Sequence, residues 1–256
     1  MKIGIIGTGT IASAIVTGFC KKKTGHTFYL SPRGAEKAAA LAAAFPEAQV
    51  CASNQDVLDN ADWIFITVQK SGFDALNALT FRKDHKVLNM ATELQLPDLR
   101  NRIGETAILA HVVPLPMIVN GYGPLIVFPE TPEIGELFAP VSDVLYVQKR
   151  EDARALQLLT CIMSPYYMLL HEITKFSDGQ GVEHEASVQF LHSLFSSLGR
   201  RAVETPGCDL VELAHDMTPG GYNEQSMNAL MDNGAIQAWG SVLEELNARL
   251  QASAKS

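Results

Sequence analysis

Cysteine is scarce in this chain, and none of it is arranged as a metal site or a redox motif. The 256 residues include four cysteines, Cys20, Cys51, Cys161 and Cys208, scattered without a CxxC pair. No histidine and cysteine residues cluster at metal-ligand spacing. This pattern predicts reduced thiols, a cytoplasmic protein and no bound metal ion.

Net positive charge is also lacking. The chain has 20 lysine and arginine residues against 28 aspartate and glutamate residues, a formal charge of −8 at pH 7. The densest basic run, residues 21–23, closes a predicted helix and is typical of a solvated helix end. Because no basic stripe offsets the negative charge, we expect no nucleic-acid partner.

Long hydrophobic segments are missing as well, although 47% of the residues are hydrophobic. The run WIFITV at residues 63–68 is far too short to span a bilayer. The apolar stretch at the N-terminus is interrupted by glycines and lacks the pattern of a signal peptide. We therefore expect a soluble, untargeted protein with no membrane partner.

The first half of the chain alternates short apolar runs with helical patterns. Apolar runs predict strands near residues 2–6, 26–30, 48–52, 63–68, 86–90 and 107–113. Strands that alternate with helices over short links are typical of an α/β fold with a doubly wound sheet. We predict such a domain, of the Rossmann type, for residues 1–150.

The second half of the chain has a different pattern, because apolar runs typical of strands are absent beyond about Glu151. Apolar side chains there repeat on one helical face, for example in the stripe formed by Val188, Leu191, Phe195 and Leu198. Residues 151–256 are therefore predicted to form a separate all-α domain.

The segment GTGTIA directly follows the first predicted strand and opens a helix. It matches the dinucleotide-binding fingerprint, with Ala12 in place of the third glycine. Gly7 permits the sharp turn, Gly9 lets backbone amides approach a pyrophosphate, and the helix start offers unpaired N–H groups to the phosphates. The predicted cofactor-binding residues here are Gly7, Thr8, Gly9, Thr10, Ile11 and Ala12.

The end of the second predicted strand, YLSPRG, bears on which dinucleotide binds. An acidic residue at this place accepts the ribose hydroxyl of NAD, but the chain has none before Glu36. Ser31 and Arg33 stand there instead, which favours NADPH with Arg33 on the 2′-phosphate. The alternative is a plain surface turn formed by Ser-Pro-Arg-Gly.

Four segments together resemble the pyrroline-5-carboxylate reductase family of the 6-phosphogluconate-dehydrogenase-like superfamily. They are KIGIIGTGTIASAI at the start, SNQDV at 53–57, ADWIFITVQK at 61–70 and MTPGGYN at 217–223. The resemblance covers nearly the whole chain and is strongest in the first seventy residues. It implies an NADPH-binding Rossmann domain and C-terminal helices that interlock in a homodimer and build an imine pocket at the interface.

The resemblance also implies roles for individual residues. Asn54 matches the asparagine that approaches the adenosine part of the cofactor. The segment that borders the nicotinamide side is matched by Val68, Gln69 and Lys70.

Several segments depart from the family pattern. The lysine-proline pair after the fourth strand is Gln69-Lys70, and the methionine-proline-asparagine segment reads HVVPLPMIVNGYG. The glycine- and serine-rich substrate loop, whose glycines leave room for a carboxylate, appears as IMSPYYM, in which Ser164 and Pro165 remain. Two threonines after the proline-glycine-glycine turn are replaced by Tyr222 and Asn223.

The catalytic candidates implied by this alignment are Ser193, His192 and Ser164. His192-Ser193 stands where the family has a glutamine-threonine pair, so Ser193 can hydrogen-bond the ring nitrogen and His192 can donate a proton. The alternative for His192 is a histidine at the edge of an apolar face. His111 follows a strand near the expected cleft and is interpreted as structural.

The resulting expectation is an NADPH-dependent oxidoreductase that reduces the C=N bond of a small molecule, in the manner of proline biosynthesis. Such a reaction needs a positioned cofactor, a proton donor and water exclusion rather than a catalytic triad. One alternative is an NADP-dependent 3-hydroxyacid-dehydrogenase-like enzyme that uses Lys175. The other is a non-catalytic NADPH-binding protein.

Overall fold

The computed structural model describes residues 1–205, 207 and 209–253, and it divides the chain into two compact units. The first unit is Met1–Gln157, and the second begins at Leu158. The roles predicted for the two domains, 1–150 for the cofactor and 151–256 for substrate and dimerisation, remain predictions.

The first unit is built on one eight-stranded sheet in the order β3-β2-β1-β4-β5-β6-β7-β8. Neighbouring strands are parallel except β6 and β7, which pair antiparallel. The strands are β1 (Lys2–Ile6), β2 (Thr27–Leu30), β3 (Ala48–Val50), β4 (Trp63–Ile66), β5 (Lys86–Asn89), β6 (Ile108–Val113), β7 (Pro124–Phe128) and β8 (Asp143–Tyr146). The predicted Rossmann-type α/β fold is confirmed, whereas β7 and β8 were not predicted.

Helices cover both faces of this sheet. They are α1 (Thr10–Lys21), α2 (Ala35–Ala44), α3 (Asn54–Asn60), α4 (Leu96–Ile103), α5 (Pro132–Phe138) and α6 (Arg150–Leu159), with 3₁₀ segments at Lys70–Ala78 and Pro116–Asn120. Side chains of β1 and β4 are buried on both faces, as in parallel sheets generally. Ile3 and Phe65 pack under Phe19 of α1, while Ile64 packs with Leu99 of α4 on the other face.

Helices are the only regular secondary structure in the described residues of the second unit, as predicted. After a 3₁₀ turn at Thr160–Ile162 come α7 (Met163–Gly179), α8 (His184–Glu204), α9 (Leu210–His215), α10 (Tyr222–Asp232) and α11 (Ala235–Ser253). Helices α7 and α8 pack side by side, and the Ser177 hydroxyl donates to Ser187 Oγ at 2.7 Å. Within the described part of this unit only Thr174, Ser187 and Leu191 are buried.

Candidate functional site: a dinucleotide cleft

The main cleft of the first unit lies at the carboxyl ends of β1, β2, β4 and β5. Its volume is about 570 Å³. Strand order reverses between β1 and β4, and open α/β sheets bind ligands at such a switch point. The lining residues are Gly7–Ile11, Arg33–Gly34, Thr67–Phe73 and Met90–Glu93.

The glycine turn after β1 is closed tightly against the end of β4. Gly7 has φ +102°, and a Cβ placed on it would lie 2.8 Å from Val68 Cγ1. The Thr67 hydroxyl donates to the Gly7 carbonyl at 2.6 Å and fastens the two segments together. Position 7 therefore admits only glycine, as the fingerprint predicts.

The start of α1 is left free for a ligand. Gly9 is its N-cap, and among the described residues no side chain caps it and no acidic residue stands in its first turn. A Cβ on Gly9 would meet no described atom within 4 Å, so the space in front of these amides is open. Unpaired amides and the positive end of the helix dipole suit a phosphate here.

Two basic side chains flank this helix start. The Arg33 side chain crosses the cleft towards Gly72. Its Nη1 lies 3.2 Å from the point where a Cβ on Gly72 would stand. Lys37 Nζ donates to Thr10 Oγ1 at 2.9 Å. Lys37 was not predicted from the sequence. The sequence signal that could have suggested it is its position in the first turn of α2, four residues after Arg33.

Three predicted cofactor residues do not line the cleft. The Ser31 side chain is fully buried, and its Oγ has no hydrogen-bond partner among the described residues. Ala12 is fully buried and packs in the core, as expected of a residue that keeps α1 close to β1. Asn54 begins α3 and is half-buried. Among the described residues, the structure brings neither Ser31 nor Asn54 into this cleft.

The opposite side of the cleft combines predicted and unpredicted residues. The predicted residues Val68, Gln69 and Lys70 line it, and so do residues Met90–Glu93 after β5, which were not predicted. The turn after β5 is held by the fully buried Asn89, whose Nδ2 donates to the Leu94 carbonyl at 2.6 Å. Its Oδ1 accepts from the Ala91 amide at 3.1 Å. Glu93 thus presents a carboxylate at the rim.

His111 lies on β6, opposite Asn89 in the sheet register. Burial lowers the pKa of its imidazole, and the positive charge of Arg150 lowers it further. The lowered pKa favours the neutral imidazole near pH 7. The structural role of His111 stays a prediction.

The predicted catalytic residues all belong to the second unit. Ser164 is exposed in the first turn of α7, and His192 and Ser193 are exposed on α8. The Tyr166 and Phe195 rings meet edge-on with centroids 5.4 Å apart, which brings these stretches of the two helices together. Lys175, the lysine of the alternative dehydrogenase reading, is exposed and lies 3.6 Å from Glu172 Oε2.

The thiols and the acidic residues form no further site within the described ranges. Cys20, Cys51 and Cys161 are free, and burial raises the pKa of Cys20 and Cys51 to about 11. Cys208 lies outside the described residues. No group of three metal-ligating side chains occurs among the residues described, and none of their helices is long and apolar enough to cross a bilayer.

Residues 2–91 match the family described as NADP oxidoreductase, coenzyme F420-dependent. This range contains the glycine turn, the Arg33 segment and the residues that follow β4 and β5. No curated protein matches the chain. The family match confirms the predicted class, an oxidoreductase.

Solved structures extend the comparison over the whole chain. A 1-pyrroline-5-carboxylate reductase from Streptococcus pyogenes superposes with a TM-score of 0.78 at 19% identity, covering 96% of both chains. The fold is that of the pyrroline-5-carboxylate reductases. The Plasmodium falciparum pyrroline carboxylate reductase with NADP bound gives 0.78 at 15% identity over 98% of this chain and 97% of that one. A reductive aminase from Aspergillus terreus in complex with NADPH and ethyl levulinate gives 0.55 at 17%, over 99% and 93%.

These comparisons confirm the resemblance predicted from the sequence at the level of the fold. The pyrroline-5-carboxylate reductase fold spans both units of the chain, and the family match covers the cofactor end. Because these identities are low, they do not show which compound is reduced or which residues bind it.

Proposed function

We propose that this protein is an NADPH-dependent reductase of a small imine that works as a homodimer in the cytoplasm. The observation that carries the proposal is the uncapped glycine turn at the switch point of the sheet, with Arg33 across the cleft and Lys37 beside it. The fold of the neighbours supports reduction of a C=N bond.

The cleft residues fit an NADPH molecule. Amides of the first turn of α1 would hold the pyrophosphate, since their side of the helix start is open. Arg33 and Lys37 would pair with the 2′-phosphate, and residues 31–35 directly after β2 contain no carboxylate. Residues 68–70 and 90–93 would then border the nicotinamide end.

Little further chemistry is required of the chain. Bound NADPH supplies the hydride to the imine carbon, and the nitrogen ends as an amine after taking up one proton. His192 would donate that proton or hydrogen-bond the nitrogen, and Ser193 and Ser164 would orient it. This makes the second unit the substrate domain.

The surface of the second unit supports a homodimer. Large apolar side chains stand exposed along several of its helices, such as Phe176 at 70%, Phe190 at 67% and Tyr167 at 66%. Monomeric soluble proteins rarely expose contiguous apolar surface on this scale. A second copy of these helices would cover it, as the resemblance implies.

The test combines cofactor binding with turnover. NADPH oxidation is followed at 340 nm with 1-pyrroline-5-carboxylate, 1-pyrroline and a panel of cyclic imines and oxo acids, with NADH in parallel. We expect imine-dependent oxidation of NADPH, a lower Kd for NADPH than for NADH, and a dimer mass by light scattering.

Three other outcomes would contradict parts of this proposal. Tight NADPH binding without turnover of any imine would favour the non-catalytic alternative. Reduction of NADP⁺ by 3-hydroxy acids alone would favour the dehydrogenase alternative. Equal affinity for NADH and NADPH would remove the role of Arg33.

A further inference from the structure

We propose that the imine reduced by this protein carries no carboxylate and binds through its hydrocarbon part and its positively charged nitrogen. The proposal rests on the proposed function, in which α7 and α8 form the substrate surface. It concerns what those helices and the turn before α10 offer to a substrate.

The stretches of α7 and α8 around the catalytic candidates contain no acidic residue, lysine or arginine. Residues 158–171 and 186–199 contain no aspartate, glutamate, lysine or arginine. The contact between Tyr166 and Phe195 places these two uncharged stretches side by side. A carboxylate bound near Ser164 or Ser193 would find only two histidines, His171 and His192, as potential cations in these stretches, and a buried carboxylate without a cationic partner is strongly disfavoured.

Backbone amides do not replace the missing cation. The chain is already helical before α7 begins, since Leu159 and Ile162 both have right-handed helical dihedrals. The Met163 amide donates to the Thr160 carbonyl, so the start of α7 is bonded to the preceding turn. Pro165 has no N–H to offer. The free amides of a glycine-rich loop are thus absent from this described segment.

The glycine amides of the proline-glycine-glycine turn before α10, residues 219–221, are already hydrogen-bonded within the chain. The Gly220 amide donates to the Glu224 carboxylate, and the Gly221 amide donates to the Thr218 carbonyl at 2.9 Å. Glu224 also places a negative charge beside the turn. A substrate carboxylate near this turn would be repelled by Glu224 rather than bound.

The same features suit a cation with an apolar body. Tyr166, Tyr167 and Phe195 supply aromatic rings, and Tyr166 contacts both of the others. Aromatic faces attract cations that have few hydrogen bonds to water. Residues 158–256 carry five basic and twelve acidic residues, a formal charge of −7, which also favours a positive ligand.

A protonated imine has these properties. Its C=N nitrogen carries the proton and the positive charge, and its ring is hydrocarbon. Hydride addition to the carbon moves the C=N π pair onto nitrogen as a lone pair, so a neutral amine results and atoms and electrons balance.

The first experiment compares substrates that differ only by the carboxylate. kcat/KM is measured with NADPH for 1-pyrroline, 1-pyrroline-2-carboxylate and 1-pyrroline-5-carboxylate. We expect 1-pyrroline to be preferred by about tenfold or more. A kcat/KM for either carboxylated imine equal to or above that of 1-pyrroline would overturn the inference while leaving the proposed function in place. Failure to reduce any imine would remove both.

Two variants separate the parts of this surface. Glu224→Gln is expected to raise the ratio of kcat/KM for 1-pyrroline-5-carboxylate to kcat/KM for 1-pyrroline several-fold, because the repulsion of the carboxylate is removed. Glu185→Gln, at an exposed glutamate in the first turn of α8, is the matched control. A Glu224→Gln variant that leaves this ratio unchanged would count against the repulsion argued here.

The aromatic contact has its own test. Phe195→Leu is expected to lower kcat/KM for 1-pyrroline about tenfold with NADPH affinity unchanged. Phe176→Leu, the same change at an exposed site on α7 ten residues from Tyr166, is the control. An equal effect of the two substitutions would contradict cation binding by the ring cluster.

Discussion

At the scale of single residues, Arg33 and Gly72 depend on each other. The Arg33 guanidinium lies where a side chain on residue 72 would stand, 3.2 Å from that Cβ position. The same position is 3.2 Å from Val68 Cβ, so a larger residue has little room to turn away. Gly72 therefore sets where the charge of Arg33 sits in the cleft.

This dependence predicts a selective effect on the cofactor. Gly72→Val should displace Arg33 and raise the Kd for NADPH about tenfold, with a smaller rise for NADH, because only NADPH has the 2′-phosphate. Arg33→Ala should also affect NADPH far more than NADH. Fluorescence titration of both cofactors measures these constants.

A double variant provides the control. In the Arg33→Ala background, Gly72→Val should change the two constants by the same factor, since no guanidinium remains to be moved. If Gly72→Val alone weakens NADH and NADPH equally, its effect is simple crowding of the cleft and the coupling to Arg33 is wrong.

The backbone fixes the residue type at Gly7, because a φ of +102° and the closeness of Val68 require glycine there. No such requirement holds at Gly9, where a Cβ would meet no described atom within 4 Å. The cofactor-binding roles of both residues stay predictions. Lys37 and Glu93 were not predicted, because sequence spacing, including the spacing of four residues from Arg33 to Lys37, does not show which side chains reach the cleft. Their positions depend on how α2 and the turn after β5 pack against the rest of the first unit, and local sequence does not determine this packing.

At the scale of elements, α3 is held by the loop that precedes β5. Arg82 Nη1 and Nη2 donate to the carbonyls of Leu58 and Ala61 at 3.0 and 3.1 Å. His85, which is fully buried, hydrogen-bonds the Leu58 carbonyl through Nε2 at 3.1 Å. Its Nδ1 accepts from the Arg82 amide at 3.1 Å, so the ring must be neutral to make both bonds.

This arrangement predicts a loss of stability in acid. Burial lowers the pKa of His85, and the Arg82 charge lowers it further. An unfolded histidine titrates near 6.5, so below that pH the unfolded chain binds a proton that the folded chain does not. The free energy of unfolding should therefore fall as pH drops below about 6.5, by at most about 1.4 kcal/mol per pH unit for this group.

Denaturant unfolding at pH 7.5 and 5.5 measures the effect. His85→Asn should be less stable at pH 7.5 and should lose less stability between the two pH values than the unmodified protein. His26 and His111, whose pKa values are also lowered by burial, are present in both proteins. Their contributions to the loss of stability are therefore the same in both and do not affect the comparison. Identical losses in the two proteins would show that His85 is not the titrating group.

Elements were predicted unevenly for a physical reason. The strands β1 to β6 are apolar runs between clear turns, and their pattern is visible in the sequence. Prolines bound β7 at Pro124 and Pro129, and proline is typical of loops and sheet edges. Strand β8 has an exposed residue at Leu145 and no fully buried residue, so it lacks the continuous buried apolar run of β1 and β4.

At the scale of the whole molecule, the sequence predicted the helical character of the second unit but not which faces remain uncovered. Helical spacing locates an apolar stripe, yet whether a neighbouring helix buries it depends on packing between distant segments. Val188 and Leu198 belong to the predicted stripe on α8 and are 46% and 45% exposed. Their exposure is the feature that the dimer proposal uses.

The acidity of residues 158–256 sets how such a dimer responds to ionic strength. Two copies that meet through these helices bring formal charges of −7 each towards one another, and their mutual repulsion opposes apolar contact. Raising the salt concentration from about 0.05 to 0.5 M shortens the screening length to a few ångströms. Sedimentation equilibrium should then show the dimer dissociation constant falling several-fold, whereas a rise would mean that ion pairs hold the interface. Assembly of this protein would thus be tightest in concentrated electrolyte and would loosen on desalting.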